Sequence, residues 1–236
     1  GSVAPGKAAD ILLVDQPGTF NVETVISKGQ VVTEAKQAVA SFIPPKRSEK
    51  LLNTVHHEPM VAADFEYHTD HADGKATVRT INSIGPFVRK QRDVELDVQD
   101  GIVKADAAKD VAMVSVIERY GINKNHAKGF ISGWSIKQGA IATTCAPDDN
   151  NLVVAGNDFA DMALAANTLI EHGGGQAVVL NGKVLSLLEL PIAGITTDLT
   201  PQELADKEIE LKNAAQQLGS KFPDPLFYLA SLPITA

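Results

Sequence analysis

Apolar residues enter the chain in short pulses. Ile11-Leu12-Leu13-Val14 comes first, then Val22, Val25 and Ile26, then the turn Lys28-Gly29 and Val31-Val32. Turn, short strand, turn, strand is the simplest reading. Three such strands within thirty residues are too few to close a core by themselves, so they are expected to pack against something else. An Ala-rich piece follows, then Pro44-Pro45-Lys46-Arg47 and Ser48-Glu49-Lys50-Leu51-Leu52. The double proline ends whatever precedes it. The pattern therefore predicts an all-β segment over residues 1–35, a linker over 36–58 and a main domain over 59–236.

In the main domain the pattern first has the period of strands. Ala76 to Ile81 alternates, and Val94-Glu95-Leu96-Asp97-Val98 alternates before Asp100-Gly101 turns into Ile102-Val103, which predicts a hairpin. Val111 to Ile117 is a continuous apolar run of strand length, as a central strand buried on both faces would be. Gly139 to Thr143 and Asn151 to Gly156 are further strands. The period then changes: Met162, Ala165, Ala166, Leu169 and Ile170 fall at helical spacing between a cap at Asn157 or Asp158 and the stop Gly173-Gly174-Gly175. Gln176 to Leu180 and Lys183 to Leu188 form a second hairpin about Asn181-Gly182. A last helix starts at Thr200-Pro201-Gln202-Glu203, with Leu204, Ile209, Leu211 and Leu218 as its apolar face and Gly219 as its end. The sum is an α+β fold, a mixed β-sheet domain with packed helices. The triple glycine follows a helix and precedes a strand, the reverse of the order a phosphate loop needs.

Composition narrows the function classes. A formal charge of −8 without a Lys/Arg stripe argues against nucleic acid as a partner. No run of eighteen apolar residues and no signal sequence occur, so no membrane partner is expected. Cys145 is the single cysteine and cannot form an internal disulfide, and no Cys-x-x-Cys pair is present for structural zinc, so a cytoplasmic location is the default.

Several words of the main domain resemble the C-terminal domain of adenine deaminases. They are Ile117-Glu118-Arg119, Gly129-Phe130, Lys137 to Ala142, Asp158 to Met162, Ile170-Glu171-His172-Gly173-Gly174-Gly175 and Leu190-Pro191-Ile192-Ala193-Gly194. Pro223-Asp224-Pro225 and Leu229 to Pro233 resemble the family's final segment. Val3-Ala4-Pro5-Gly6-Lys7-Ala8-Ala9-Asp10-Ile11 resembles the strands that follow the catalytic barrel in amidohydrolases, which implies that residues 1–35 are part of a β-sandwich. The resemblance implies hydrolysis of adenine to hypoxanthine and ammonia, by hydroxide on a divalent metal (manganese, iron or zinc) with a carboxylic acid shuttling protons. It also implies that the metal-binding barrel lies outside this chain, which has no His-x-His pair. No catalytic residue and no metal ligand is then expected here, and His56, His57 and His68 read as solvated loop residues.

The resemblance also marks departures. Where the family's C-terminal domain has His-Asp-Ser-His-Asn, this sequence has Pro147-Asp148-Asp149-Asn150-Asn151, and the histidine that follows Glu-Arg is Tyr120. Proline has no ligand atom, and the asparagine oxygen is a weak substitute for imidazole. Asp148, Asp149 and Asn151 remain candidates for a substrate-binding loop, set against a polar turn satisfied by its own side chains. Glu118 and Arg119 are candidates too: the arginine could hold an anionic or carbonyl group, or pair with a neighbouring helix. Cys145 reads as a small buried residue, His126 as solvated, and Arg79 matches a family arginine loosely. Two readings follow. One is the inactive end of a deaminase, partnered by the missing barrel and expected to be a homo-oligomer. The other is a non-catalytic ligand-binding, structural or oligomerisation module.

Overall fold

In a computed structural model of the protein, residues 1–41, 47–71, 73–85 and 87–235 are described; the double proline at 44–45 lies outside them. The chain divides into two units, Gly1–Arg47 and Ser48–Ala236. The first is an antiparallel meander of β1 (Ile11–Val14), β2 (Val22–Ser27), β3 (Gln30–Glu34) and β4 (Gln37–Ala38). Lys28 and Gly29 turn with φ of 48° and 81°, the left-handed pair that suits a two-residue hairpin. The β3–β4 turn uses Ala35 and Lys36, also at positive φ. Neither residue favours that conformation, which is why the fourth strand had no sequence signal. No described residue from 1 to 41 is buried.

The stretch 36–58 is not wholly a connector. Gln37–Ala38 completes the first sheet, Leu52 bridges Ile192, and the His56 N–H donates to the Arg119 carbonyl at 2.6 Å, because these backbone groups find partners within their own units.

The second unit is built on ten strands. In chain order they are β5 (Tyr67–His68), β6 (Gly74–Gly85), β7 (Val88–Gln99), β8 (Ile102–Val103), β9 (Val111–Ile117), β10 (His126–Ser132), β11 (Ala140–Thr143), β12 (Leu152–Gly156), β13 (Gly175–Leu180) and β14 (Lys183–Glu189). Their order across the sheet is β14-β13-β11-β12-β9-β10-β6-β7-β8-β5. Only β6 and β10 run parallel; the other neighbours are antiparallel. Three helices complete it: α1 (Phe159–Glu171), α2 (Pro201–Gln216) and α3 (Pro225–Ala230), followed by a helical turn at Leu232–Thr235.

The apolar run of β9 is central, as its composition predicts, and its alternation feeds two cores. Met113 and Ile117 join Ala142, Val154 and the α1 residues Met162, Ala166 and Leu169 on one face. Ala112 and Val114 join Ile141, Val153, Leu211, Leu226 and Leu229 on the other. Helices on both faces of a sheet require strands apolar on both sides.

Local chemistry sets the boundaries. Asp158 caps α1 by accepting the Asp161 N–H at 2.9 Å. Thr200 and Glu203 make both bonds of a capping box at α2. That helix stops at Gln216, before Gly219, and its buried face is Leu211, Ala214 and Ala215, continued by Leu218 beyond its end. Ile209, expected on that face, is exposed: two residues from Leu211 it lies about 200° round the helix. β6 and β7 each run twelve residues, longer than their clean alternation. The strand β10 was not expected, because Lys128 breaks its apolar pattern; its amine reaches the carbonyls of Asp64 and Glu66.

Candidate functional site

At one end of the large sheet β9, β11 and β14 finish while β10, β12 and β13 begin. The connections 118–125, 144–151, 172–174 and 190–196 therefore gather there, and residues 51–57 join them through Leu52 and His56. Three of the sequence words that carry the family resemblance, at 117–119, 170–175 and 190–194, reach into these loops.

Glu118 and Arg119, the first two residues beyond β9, collect opposite kinds of partner. The Glu118 carboxylate accepts the backbone N–H groups of Tyr120 at 2.6 Å, Ile122 at 2.9 Å, Asn123 at 3.2 Å and Lys124 at 3.3 Å. Burial opposes its ionisation, but those donors outweigh it and hold the carboxyl below the usual range. The Arg119 guanidinium, 1% exposed, donates to the Asn150 carbonyl, the Thr54 hydroxyl at 2.9 Å, the Ala193 carbonyl at 2.9 Å and the Tyr120 hydroxyl at 3.2 Å. It also lies 4.7 Å from the centre of the Tyr120 ring. Of the sequence alternatives for Arg119, holding a carbonyl group describes it more nearly than pairing with a helix, but its two carbonyl partners, Asn150 and Ala193, belong to its own chain and come from separate loops.

Gly194 makes room for that cation. A Cβ there would fall 2.0 Å from Arg119 Nη1, and the residue has a φ of 69°. Thr144 ties the neighbouring loops together, donating from Oγ1 to the Gly194 carbonyl at 2.6 Å and accepting the Gly175 N–H at 2.8 Å. Thr54, Thr144 and Gly194 were not singled out by sequence, although Gly194 ends one of the family words.

The loop 147–151 curls, with Asp148 at a φ of 83° and the Asn150 N–H returning to the Ala146 carbonyl at 2.7 Å. Asp149 turns its carboxylate onto the Asn151 backbone N–H at 3.1 Å and side-chain amide at 3.0 Å. Asp148 and Pro147 are exposed. The Tyr120 hydroxyl donates to the Asp149 carbonyl at 3.1 Å. Two of the three positions where the resemblance leads one to expect histidine thus bond the Arg119 guanidinium, Tyr120 through its hydroxyl and Asn150 through its backbone carbonyl, and Pro147 stands in the same loop as Asn150.

That donor set does not suit a divalent metal. The Arg119 guanidinium occupies the Tyr120 hydroxyl and the Asn150 backbone carbonyl, Pro147 offers no ligand atom, and a divalent cation this close to the guanidinium would be repelled. Among the described residues no three His, Cys, Asp or Glu side chains come close enough to hold a metal ion.

The other candidates are dispersed. Cys145 is half-buried; burial pushes its thiol pKa up while Arg119 pulls it the other way. Arg79 lies on an exposed stretch of β6, 3.5 Å from Asp93 opposite it on β7. His56 and His68 are exposed, and His57 sits 2.7 Å from the Glu58 carbonyl. His126 is not solvated: it begins β10, its ring meets Phe65 edge-on at 5.7 Å, and its buried Nε2 has no hydrogen-bond partner among the described residues. Packing of residues 62–65 over β10 hides it.

The geometry defines an α+β domain whose loops are organised at one sheet end around a buried arginine, with no catalytic metal cluster among the described residues. Residues 86–236 match the model of the adenine deaminase C-terminal domain. The chain belongs to this family. Over 236 residues it is 51% identical to adenine deaminase 1 of Latilactobacillus sakei and 46% identical to adenine deaminase 1 of Desulfotalea psychrophila. It is 43% identical over 240 residues to adenine deaminase 4 of Rhizobium meliloti. In each comparison the whole chain is covered, but only 40% of the relative. The chain spans about two fifths of the length of these relatives and corresponds to a C-terminal portion.

Proposed function

We propose that this chain is the C-terminal part of an adenine deaminase that converts adenine and water to hypoxanthine and ammonia, and that the chemistry is done by residues outside 1–236. The observation that carries this is identity over the whole chain to proteins named adenine deaminase, of which it spans only 40%. The lack of fit between the Tyr120, Pro147 and Asn150 positions and a metal agrees with a site elsewhere. In this reading the divalent metal, manganese, iron or zinc, supplies an activated hydroxide from a preceding barrel domain. The present residues contribute a rigid loop cluster, with Asp148 on its exposed rim.

The barrel is then the natural partner, in a cytoplasmic homo-oligomer without nucleic acid or lipid. No helix among the described residues is long and apolar enough to cross a membrane. The domain plan accompanying this reading is a β-sandwich segment at 1–35 followed by the deaminase-like domain from residue 59. A second reading, a binding or assembly module that has left catalysis, is supported by one feature: the positions where the resemblance leads one to expect histidine are Tyr120, Pro147 and Asn150 here.

Ammonia release from adenine, with manganese, iron or zinc added, tests the first reading. The 236-residue chain alone should give none above the metal blank, and a longer polypeptide joining it to the preceding segment of a relative should give turnover. Turnover by the chain alone, or none by the joined protein when the relative itself is active, would overturn it.

A further inference from the structure

The β6–β7 hairpin turns apolar side chains outward at its tip. Ile84, Phe87 and Val88 stand there, each about half exposed. Phe227 on α3 and Ile234 in the helical turn after it are exposed as well, and both line the same pocket as Phe87. The Phe87 and Phe227 rings meet edge to face at 5.8 Å. Single exposed apolar residues are ordinary, whereas several gathered at one place mark a contact surface.

The surface is already fixed in this chain. The Arg89 guanidinium donates to the Gly85 carbonyl at 2.7 Å and to the Ser231 hydroxyl at 3.0 Å, which pins the hairpin tip to the end of α3 across 142 residues of sequence. Its other acceptor is the Val88 carbonyl, and its buried Nε has no hydrogen-bond partner among the described residues. A half-buried cation held only by neutral oxygens favours a neighbour that brings negative charge.

Lys90 and Arg92 continue that charge along β7. Because β7 meets β8 only at Val98 and Gln99, its half near the tip has no strand beyond it. A second copy docked through the same edge would set two groups of Arg89, Lys90 and Arg92 against each other, and like charges facing across a strand pair destabilise it. The relatives favour a different occupant. Each is covered over only 40% of its length, by its C-terminal portion, so the longer part stands ahead of the match.

We propose that the β6–β7 tip and the end of α3 form the docking surface for the segment that precedes residue 1 in the longer relatives, and that this segment meets it with an apolar face edged by carboxylates. The inference rests on the reading of this chain as the C-terminal part of a deaminase. Burial of the five apolar side chains drives the contact, and a carboxylate against Arg89 or Lys90 sets its orientation.

Hydroxyl-radical footprinting tests this, applied to the 236-residue chain and to the polypeptide that joins it to the preceding segment of a relative. Modification of Ile84, Phe87, Val88 and Phe227 should be about fivefold slower or more in the joined protein, as half-exposed side chains become buried ones. Equal rates in the two proteins would overturn the proposal. So would rates in the shorter chain that fall as its concentration rises, which would assign the surface to a second copy. Replacing Ile84 and Val88 together with Ser should lower the melting midpoint of the joined protein by several degrees more than that of the shorter chain; an equal shift in both would also overturn it. Ammonia release from adenine by the same joined protein reports separately on the deaminase reading. Protection without turnover would uphold the docking surface while that reading fails, and turnover without protection would do the reverse.

Discussion

The guanidinium of Arg119 donates to the carbonyl of Ala193, 74 residues further along the chain, at 2.9 Å. A buried cation thereby holds the loop that follows β14. Hydrogen bonds to charged groups contribute about 1.5–3 kcal/mol each when removal of one partner leaves the other unsatisfied. Arg119→Ala should therefore lower the unfolding free energy by about 3 kcal/mol or more. Arg119→Lys should lose less, since one ammonium cannot span all four oxygens but keeps the charge. Urea denaturation measures both, and hydrogen exchange should show lost protection over residues 190–196.

Gly194 and Arg119 should be coupled. Gly194→Ala places a methyl group on the guanidinium and strains a positive φ, at a cost of about 2 kcal/mol or more. In the Arg119→Ala background the clash disappears and only the backbone strain of about 1 kcal/mol remains. A double-mutant cycle should show losses that sum to less than the two single changes. Additive losses would mean that the two residues do not touch.

Glu118 predicts an acid limb. Its carboxyl sits below the ordinary value of 4.5, so the native state favours the ionised form. Its contribution is present above that ordinary value and is lost as pH falls through the lower folded value. Glu118→Gln should be less stable than the parent at pH 7, and the gap should narrow as the medium is acidified below 4.5. Chemical denaturation across pH reads the gap directly.

His126 gives a second, separate dependence. Burial, with Lys128 adding to it, holds its pKa below 6.5, while Asp64 pulls the other way and His57 adds a small push downward. The unfolded chain then binds the proton more readily than the folded one, so stability is full above 6.5 and declines as pH drops below it. Replacing His126 with Phe should flatten the profile just below pH 6.5, measured as the shift of the melting midpoint.

Asp161 links α1 to the tip of the β13–β14 hairpin: its carboxylate accepts the N–H of Asn181 at 2.9 Å and of Gly182 at 2.7 Å. Asp161→Ala should destabilise the unit by about 2 kcal/mol, because two turn amides lose a charged acceptor. Slow-exchanging amides in β13 and β14 should become faster in that variant.

The sequence makes legible what neighbouring residues decide. Asp100-Gly101 and Asn181-Gly182 supply left-handed turns, Thr200 and Glu203 cap α2 reciprocally, and the unbroken apolar run at Val111 to Ile117 can only sit between two covered faces. Ile209 misleads because apolar character alone does not fix an angle on a helix. β10 is hidden because the Lys128 amine snorkels to carbonyls on a distant segment. The Arg119 cluster is the least legible part: its partners Thr54, Asn150 and Ala193 lie 65, 31 and 74 residues away, and no local pattern encodes such distances. The resemblance drew attention to the loops at 118–120 and 147–151, but no local pattern shows that the Tyr120 hydroxyl and the Asn150 backbone carbonyl meet a guanidinium.

The four strands of residues 11–38 are joined by backbone ladders, yet no described side chain from 1 to 41 is buried. With little apolar area removed from water, that sheet has no core of its own whose loss could set a sharp midpoint. A melting curve of the 236-residue chain is then two superimposed curves, a shallow one from the small sheet and a cooperative one from the ten-stranded unit. A single fitted midpoint would belong to neither.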